Sequence, residues 1–218
     1  MIISLILSAS GALFSVSPLN GANVPASIRA ITPAAVYASV GVLEKPLAVI
    51  PPPAHVPVVP FYSQFHNITD IEWQKLGCGI ADLAMLIEFY KPGSVSVDVL
   101  LQEGIAAGAF QNGAGWKHRD LAFLAQTYGL DGTNYDFSHL DTETAFAQFE
   151  TILKEGPVIA SVYYKFEVGN KIPHLAVING ILGDTVYYND PSSGRGGESI
   201  SVSDFKKAWK KRLIAVRL

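Results

Sequence analysis

The sequence changes character at Pro157. From about residue 79 up to that point, apolar residues recur at the three- and four-residue spacing of amphipathic helices. Beyond it, short runs rich in Val, Ile and Tyr are separated by turn residues, which is typical of strands. Helices first and an antiparallel sheet afterwards indicate the α+β fold class. The chain is 49% hydrophobic and 16% charged, so it has the composition of a globular protein and not of a disordered one.

Four helices are predicted before Pro157. The first covers about residues 79–90, where apolar residues follow helical spacing and the tripeptide KPG ends the pattern. The second begins near Ser96, and the third lies in WKHRDLAFLAQTYGL. The fourth follows a cap at Asp141 or Thr142. The front of the domain is therefore expected to be helical.

Strands are predicted in PVIASVYYKF, HLAVINGIL, TVYYND and the C-terminal RLIAVRL. Gly183 and Asp184 separate the second run from the third, which predicts a hairpin. Ser201, three residues before Asp204, resembles a capping box and predicts a helix in SVSDFKKAWKK.

Three regions are expected along the chain. Residues 1–44 are interpreted as a signal peptide or a disordered extension, because the first 28 residues carry no charge yet lack a basic leading region. A signal peptide would mean export, and the alternative is a cytoplasmic protein. Residues 45–60 contain six prolines and predict an extended linker. Residues 56–218 form one domain. Ser, Gly and Pro interrupt the first apolar run, so no stable transmembrane span is expected.

Charge and cysteine content exclude several classes of function. A formal charge of −3 gives no broad basic field, so nucleic acid is not an expected partner. One cysteine permits neither an internal disulfide nor a zinc-finger spacing. No cofactor is expected, and His66 and Asp70, two weak metal ligands in one loop, are interpreted as solvated. The sequence leaves the oligomeric state open.

The single cysteine, Cys78, lies between two glycines at the start of the first predicted helix. Free backbone N–H groups and the helix dipole stabilise a thiolate at that position. Gly77 and Gly79 lack side chains, so a substrate carbonyl could approach both the sulfur and the backbone N–H closely. The alternative is a small buried hydrophobic residue, and the cysteine taken alone favours that alternative.

A nucleophilic thiol needs a base, and His174 is the candidate because it opens an apolar strand. Asp190 ends the next strand of the predicted hairpin, so strand pairing could bring it to His174 as the orienting acceptor. Asn189 is an alternative acceptor, but adjacent strand residues face opposite ways. His174 could also be a half-buried polar strand end, and Asp190 a turn residue. The other histidines are interpreted as surface residues: His55, His66, His118 and His139.

Gln64 could supply a second oxyanion donor, although a loop glutamine is usually just solvated. The stretches VPFYSQFHN, EWQKLGCGIADLAMLIEFY, HLAVINGI, YYNDPSSG and SVSDFKKAW together resemble the bacteriocin-processing (double-glycine) peptidase-like family of papain-like cysteine peptidases. The resemblance implies a papain-like fold with the nucleophile on a central helix packed on an antiparallel sheet. It also implies that Cys78 is the nucleophile, His174 the general base and acid, Asp190 the orienting residue and Gln64 the oxyanion donor.

Two features depart from that family's pattern. Ile80 stands where members often have Pro, at a position with no chemical role, and the chain has no Walker-type motif or long apolar helices of an exporter. It therefore resembles the stand-alone members. The expected function is thiol-dependent hydrolysis of peptide bonds in a peptide or protein substrate. The alternatives are a non-catalytic peptide-binding module and an amidase or transglutaminase-type acyl transferase, because these share the same residues.

Overall fold

The computed structural model describes Lys45, Leu47, Ile50, Pro53 and residues 55–218. The predicted signal peptide or extension, residues 1–44, lies outside the described residues. The chain divides into the units 1–40 and 41–218, and the described helices and strands all belong to the second unit.

Helices occupy the regions predicted for them, with one addition before Cys78. The described α-helices are α1 (Ile71–Gln74), α2 (Cys78–Tyr90), α3 (Val97–Ala106), α4 (His118–Leu124), α5 (Thr142–Leu153) and α6 (Val202–Ala208). Helix α4 is shorter than predicted and continues as a 3-10 helix, Ala125–Tyr128, that ends at Gly129 with φ 67°. Asp141 caps α5 by accepting the N–H of Thr144. The predicted caps before α5 and α6 are confirmed, since Ser201 accepts the N–H of Asp204.

The sheet is antiparallel throughout, which confirms the α+β class. The strands are β1 (Phe110–Gln111), β2 (Gly115–Trp116), β3 (Asp131–Asp136), β4 (Val158–Tyr163), β5 (Pro173–Leu182), β6 (Thr185–Asn189), β7 (Glu198–Ser201) and β8 (Trp209–Arg217). β1 and β2 form a small ladder, and the other six strands form one sheet in the order β3-β8-β4-β5-β6-β7. The expectation of a purely helical front was wrong, because β3 lies there and pairs with β8 at the edge of the sheet.

The β5–β6 hairpin forms as predicted. Leu182 pairs with Thr185 across the turn at Gly183 and Asp184. A bulge between Ile178 and Gly180 then shifts the register of the two strands. This shift decides which residues face each other at the far end of the hairpin.

The sheet separates two hydrophobic cores, and alternate residues of the central strands point into opposite ones. Leu175 and Val177 of β5 pack with helices α2, α3 and α4, whereas Ala176 and Ile178 pack with α5 and α6. This alternation follows from the two-residue period of a strand. Residues 78–87 of α2 are all buried. Helix α2 is thus the central helix, packed on one face of the sheet.

The described residues of the proline-rich segment lie against the domain. The N–H of Leu47 donates to the carbonyl of Phe61, and that of Ile50 donates to the carbonyl of Gly196. The side-chain amide of Asn189 donates to the carbonyl of Val59. Within the described part of the chain, no helix combines the length and the apolar character needed to cross a membrane.

Candidate active site

Cys78 is the first residue of α2, and its side chain reaches a cleft of about 770 Å³. The residue is 9% exposed, so the thiol is shielded without being closed off. His174 lines the same cleft. The thiol therefore lies at the positive end of a helix and beside a partly open cleft where a ligand could meet it.

The two glycines beside Cys78 serve packing. A Cβ built at Gly79 would lie 2.8 Å from Leu121 Cδ1 and 2.9 Å from Trp116 Cγ. A Cβ at Gly77 would overlap the side chain of Ile68. The space beside each glycine is filled by the protein itself. Packing therefore requires glycine at both positions, and the close approach of a substrate carbonyl to the sulfur stays a prediction.

His174 and Asp190 form a buried pair. His174 Nε2 lies 2.7 Å from Asp190 Oδ1, and the two residues are 4% and 3% exposed. Because Nε2 is engaged by the carboxylate, Nδ1 is the ring nitrogen left for a second partner. The sequence-predicted partners Cys78, His174 and Asp190 thus lie in one place, on α2, on β5 and just after β6.

A turn after β6 fixes the carboxylate of Asp190. Oδ1 accepts the backbone N–H and the hydroxyl of Ser192, both at 2.8 Å. Asn189 points the other way, where its Oδ1 accepts the N–H of Gly197 at 2.8 Å. The structure therefore gives His174 the aspartate and not the neighbouring asparagine. The role of Ser192 was missed, since a serine after Asp-Pro is common in any turn.

The pKa of His174 reflects its two partners. Burial by itself lowers the pKa of the imidazole, but hydrogen bonds with Asp190 and Cys78 outweigh it and raise the pKa to about 10. Burial acts to raise the pKa of Asp190, and the hydrogen bond and charge of His174 hold it below its ordinary value. The imidazolium form of His174 is thus favoured between a carboxylate and a thiol.

Tyr164 covers the imidazole from one side. Its ring meets that of His174 edge-on, with 5.0 Å between centroids and an interplanar angle of 83°. The two following residues, Lys165 and Phe166, have φ of 55° and 58°, a left-handed conformation that is costly for non-glycine residues. The sequence offers no signal for this contact, because Tyr164 is one of several tyrosines in the predicted strands.

Gln64 is buried next to the Asp190 turn. Its backbone N–H donates to the carbonyl of Pro191, and its side-chain Nε2 donates to the carbonyl of Gln74 at 2.7 Å. The residue is 3% exposed, so it is not the solvated loop residue of the alternative interpretation. One hydrogen of the amide remains for another acceptor.

A second acid, Asp82, lies one turn after Cys78 on α2. It is completely buried, and neither carboxylate oxygen has a hydrogen-bond partner within the described structure. Burial raises its pKa well above the ordinary value, and the charges of Cys78 and Asp190 act in the same direction. Burial therefore favours the neutral carboxylic acid form of Asp82. An acidic residue flanked by apolar ones within the helix was the only signal for it in the sequence.

Three of the four remaining histidines are surface residues, and the fourth is not. His55, His66 and His139 are exposed, as expected, whereas the interpretation of His118 as a surface residue was wrong. His118 is half-buried at the start of α4 and lines the cleft, where burial and the charge of Arg212 lower its pKa to about 4. It is a neutral part of the wall. No group of three or more His, Cys, Asp or Glu residues suited to a metal ion occurs among the described residues.

A cysteine at the start of a central helix, together with a histidine on an antiparallel sheet and an aspartate just beyond a strand of that sheet, is typical of the papain-like class of fold. The model of the Peptidase_C39 like family matches residues 57–213, and the chain belongs to that family. No curated protein matches the chain.

Two solved structures share the fold. One is a double glycine motif protease from an AMS/PCAT transporter in complex with the leader peptide; it is 24% identical, with a TM-score of 0.51 over 74% of this chain and 93% of that one. The other is a C39-like peptidase from Bacillus anthracis, 17% identical, with a TM-score of 0.51 over 73% of this chain and 94% of that one. Identities this low show the fold alone.

Proposed function

We propose that the protein is a cysteine peptidase that hydrolyses peptide bonds with Cys78 as nucleophile. The observation that carries the proposal is the buried pair of His174 and Asp190, whose histidine lines the cleft that Cys78 enters. Membership of the Peptidase_C39 like family supports it. So does the leader peptide bound to the transporter protease of the same fold, since that protein accepts a peptide.

In the first half of the reaction, the Cys78 sulfur attacks the scissile carbonyl and forms a C–S bond. The imidazolium of His174 donates its proton to the leaving nitrogen, and the C–N bond breaks. A thioester remains on Cys78 and the amine product departs. Asp190 acts as the orienting acceptor, because it holds the ring and stabilises the positive charge on it.

In the second half, water attacks the thioester carbonyl and gives a proton to His174. The C–S bond breaks, the acid product leaves, and the thiolate–imidazolium pair is restored. The Cys78 N–H and the free amide hydrogen of Gln64 would stabilise the oxyanion in both halves. Removing one such donor typically lowers the rate about 10²- to 10³-fold.

The experiment is hydrolysis of a pool of internally quenched peptides, with the cleaved bonds read by mass spectrometry. We expect cleavage by the wild type and none by Cys78→Ala or His174→Ala. His139→Ala is the matched control, since it removes an exposed histidine by the same substitution. Cleavage that survives in Cys78→Ala would contradict the mechanism. Peptide binding without cleavage by the wild type would favour the non-catalytic binding module.

A further inference from the structure

The cleft at Cys78 is basic although the protein as a whole is acidic. The chain carries 16 Lys and Arg against 19 Asp and Glu. The cleft wall reverses this balance, with Asp120 and Asp136 as its only acidic residues among those described. Its basic residues number six: Lys75, Lys117, Arg119, Lys171, Lys210 and Arg212. Charge of one sign concentrated in a cleft attracts ligands of the opposite sign.

Some of these cations are already neutralised within the protein. Lys117 and Arg119 both contact the carboxylate of Asp120, at 2.5 and 3.5 Å. Lys210 and Arg212 have no ion-pair partner among the described residues. Lys75 and Lys171 also have no ion pair among these residues, but both are exposed, whereas Lys210 and Arg212 are half-buried in the cleft wall. Lys210 and Arg212 are therefore the less solvated of the cations free to meet a ligand.

Asp136 faces Arg212 without forming an ion pair with it. The two residues are partners across the β3–β8 register. The carboxylate of Asp136 instead accepts the N–H of Ser138 at 2.9 Å and forms no ion pair with Arg212. The charge of Arg212 reaches Asp136 and helps to lower the pKa of that carboxyl, but no ion pair among the described residues holds the guanidinium.

The backbone of β8 keeps Lys210 and Arg212 on the cleft side. Lys211, between them, has φ 55° and sends its ammonium to the carbonyl of Leu140. The ammonium of Lys210 lies 4.7 Å from the ring centroid of Tyr163. Burial and the charge of Arg212 lower the pKa of Lys210. Two like charges are thus held near each other in a partly enclosed wall, an arrangement that a bound anion would relieve.

We propose that Lys210 and Arg212 form a carboxylate-binding subsite that selects substrates with a negative charge near the cleaved bond. This inference rests on the proposed peptidase function and names its substrate class, an acidic peptide. The carboxylate could come from an Asp or Glu side chain or from the C-terminus of the substrate. Arg212 offers a planar fork that suits either one.

The test is protection of Cys78 from iodoacetamide by peptides, read by intact mass. Four hexapeptides of otherwise equal sequence are compared: two glutamates or two glutamines, each with a free or an amidated C-terminus. The proteins are wild type, Lys210→Met, Arg212→Gln and the control Lys154→Met, which removes an exposed cation outside the cleft. For each protein, the rate of Cys78 alkylation with peptide is divided by the rate measured without peptide.

We expect the glutamate peptides to protect wild type at concentrations about fivefold lower than the glutamine peptides, as two exposed charge pairs allow. The advantage should disappear in Lys210→Met and Arg212→Gln, persist in Lys154→Met, and shrink as salt is raised from about 0.05 to 0.5 M. An advantage of glutamate over glutamine that survives amidation assigns the side chain as the source. An advantage of the free over the amidated C-terminus in both sequences assigns the terminal carboxylate.

Equal protection by all four peptides, including none by any of them, would overturn the subsite. The salt series on wild type shows whether protection depends on the charge of the peptide, even if a variant fails to fold. Protection requires no turnover, so it separates the two proposals. Charge-dependent protection without hydrolysis would retain the subsite and reject the peptidase. Hydrolysis without a charge preference would retain the peptidase and reject the subsite.

Discussion

His174 Nε2 lies 2.7 Å from Asp190 Oδ1, although the two residues are not paired across the sheet. The last pair of the β5–β6 ladder joins Val177 to Asn189, and Asp190 lies just beyond the strand. The contact therefore depends on the turn after β6, where Ser192 donates twice to the same carboxylate oxygen. A sheet supplies the histidine and a loop supplies its acceptor.

Asp190→Ala should lower turnover by about 10²- to 10⁴-fold, because the imidazole loses the group that orients it and stabilises its charge. The pKa of His174, now about 10, should fall, since a major hydrogen bond that raises it is gone. Peptide hydrolysis and an NMR titration of the His174 ring measure these two effects.

The same substitution has a signature in stability. A raised pKa in the folded state contributes stability that is complete below the ordinary value of 6.5 and is lost as the pH rises through about 10. The free energy of unfolding of wild type should therefore decline between pH 7 and 10, and Asp190→Ala should decline less. Parallel declines would contradict the assigned pairing.

Gln64→Ala should lower kcat by about 10²- to 10³-fold with a smaller change in KM, because the amide would donate to the oxyanion only as it forms. Gln148→Ala, an exposed glutamine on α5, is the matched control. Steady-state kinetics on one cleaved peptide separates the two parameters. A rise in KM alone would instead place Gln64 in ground-state binding.

Asp82→Asn should flatten the pH dependence of stability. A carboxyl whose pKa is raised by folding binds a proton that the unfolded chain releases above about pH 4, so wild type loses stability as the pH rises. Asparagine does not titrate and removes this loss. Urea unfolding from pH 5 to 8 compares the slopes, and equal slopes would mean that Asp82 is ionised in the fold.

Gly79→Ala should destabilise the domain by about 1–3 kcal/mol through overpacking against Leu121 and Trp116. The better helix propensity of alanine offsets about 1 kcal/mol of that cost. Gly194→Ala is the control, because its added Cβ meets nothing within 4 Å and its φ is ordinary. Urea unfolding measures the free energy of unfolding of both variants. Equal values would show that Leu121 and Trp116 can move aside for the added Cβ.

Strongly periodic or capped elements were predictable, and weakly patterned ones were not. α2 is apolar almost throughout and ends at KPG, and the β5–β6 hairpin has a clear two-residue turn. β3, with the sequence DGTNYD, is a polar edge strand, so its own residues carry almost no strand signal. It forms because β8, far away in the chain, offers it a free edge.

The sequence named the residues that meet at the site but not the surroundings that tune them. Cys78, His174 and Asp190 could be selected from chemistry and order along the chain. The edge-on contact of Tyr164, the orphaned acid Asp82 and the packing role of Gly79 depend on tertiary neighbours that no local pattern encodes. The roles assigned to the selected residues remain predictions.

The most direct test of the central claim is the rate of Cys78 alkylation by iodoacetamide as a function of pH, in wild type and in His174→Ala. An isolated thiol becomes reactive near pH 8.5. If Cys78 and His174 work as a thiolate–imidazolium pair, the wild-type rate reaches a plateau well below that pH and the variant loses it. Identical profiles near the value of a free thiol would contradict the account, leaving the peptidase fold without its nucleophile.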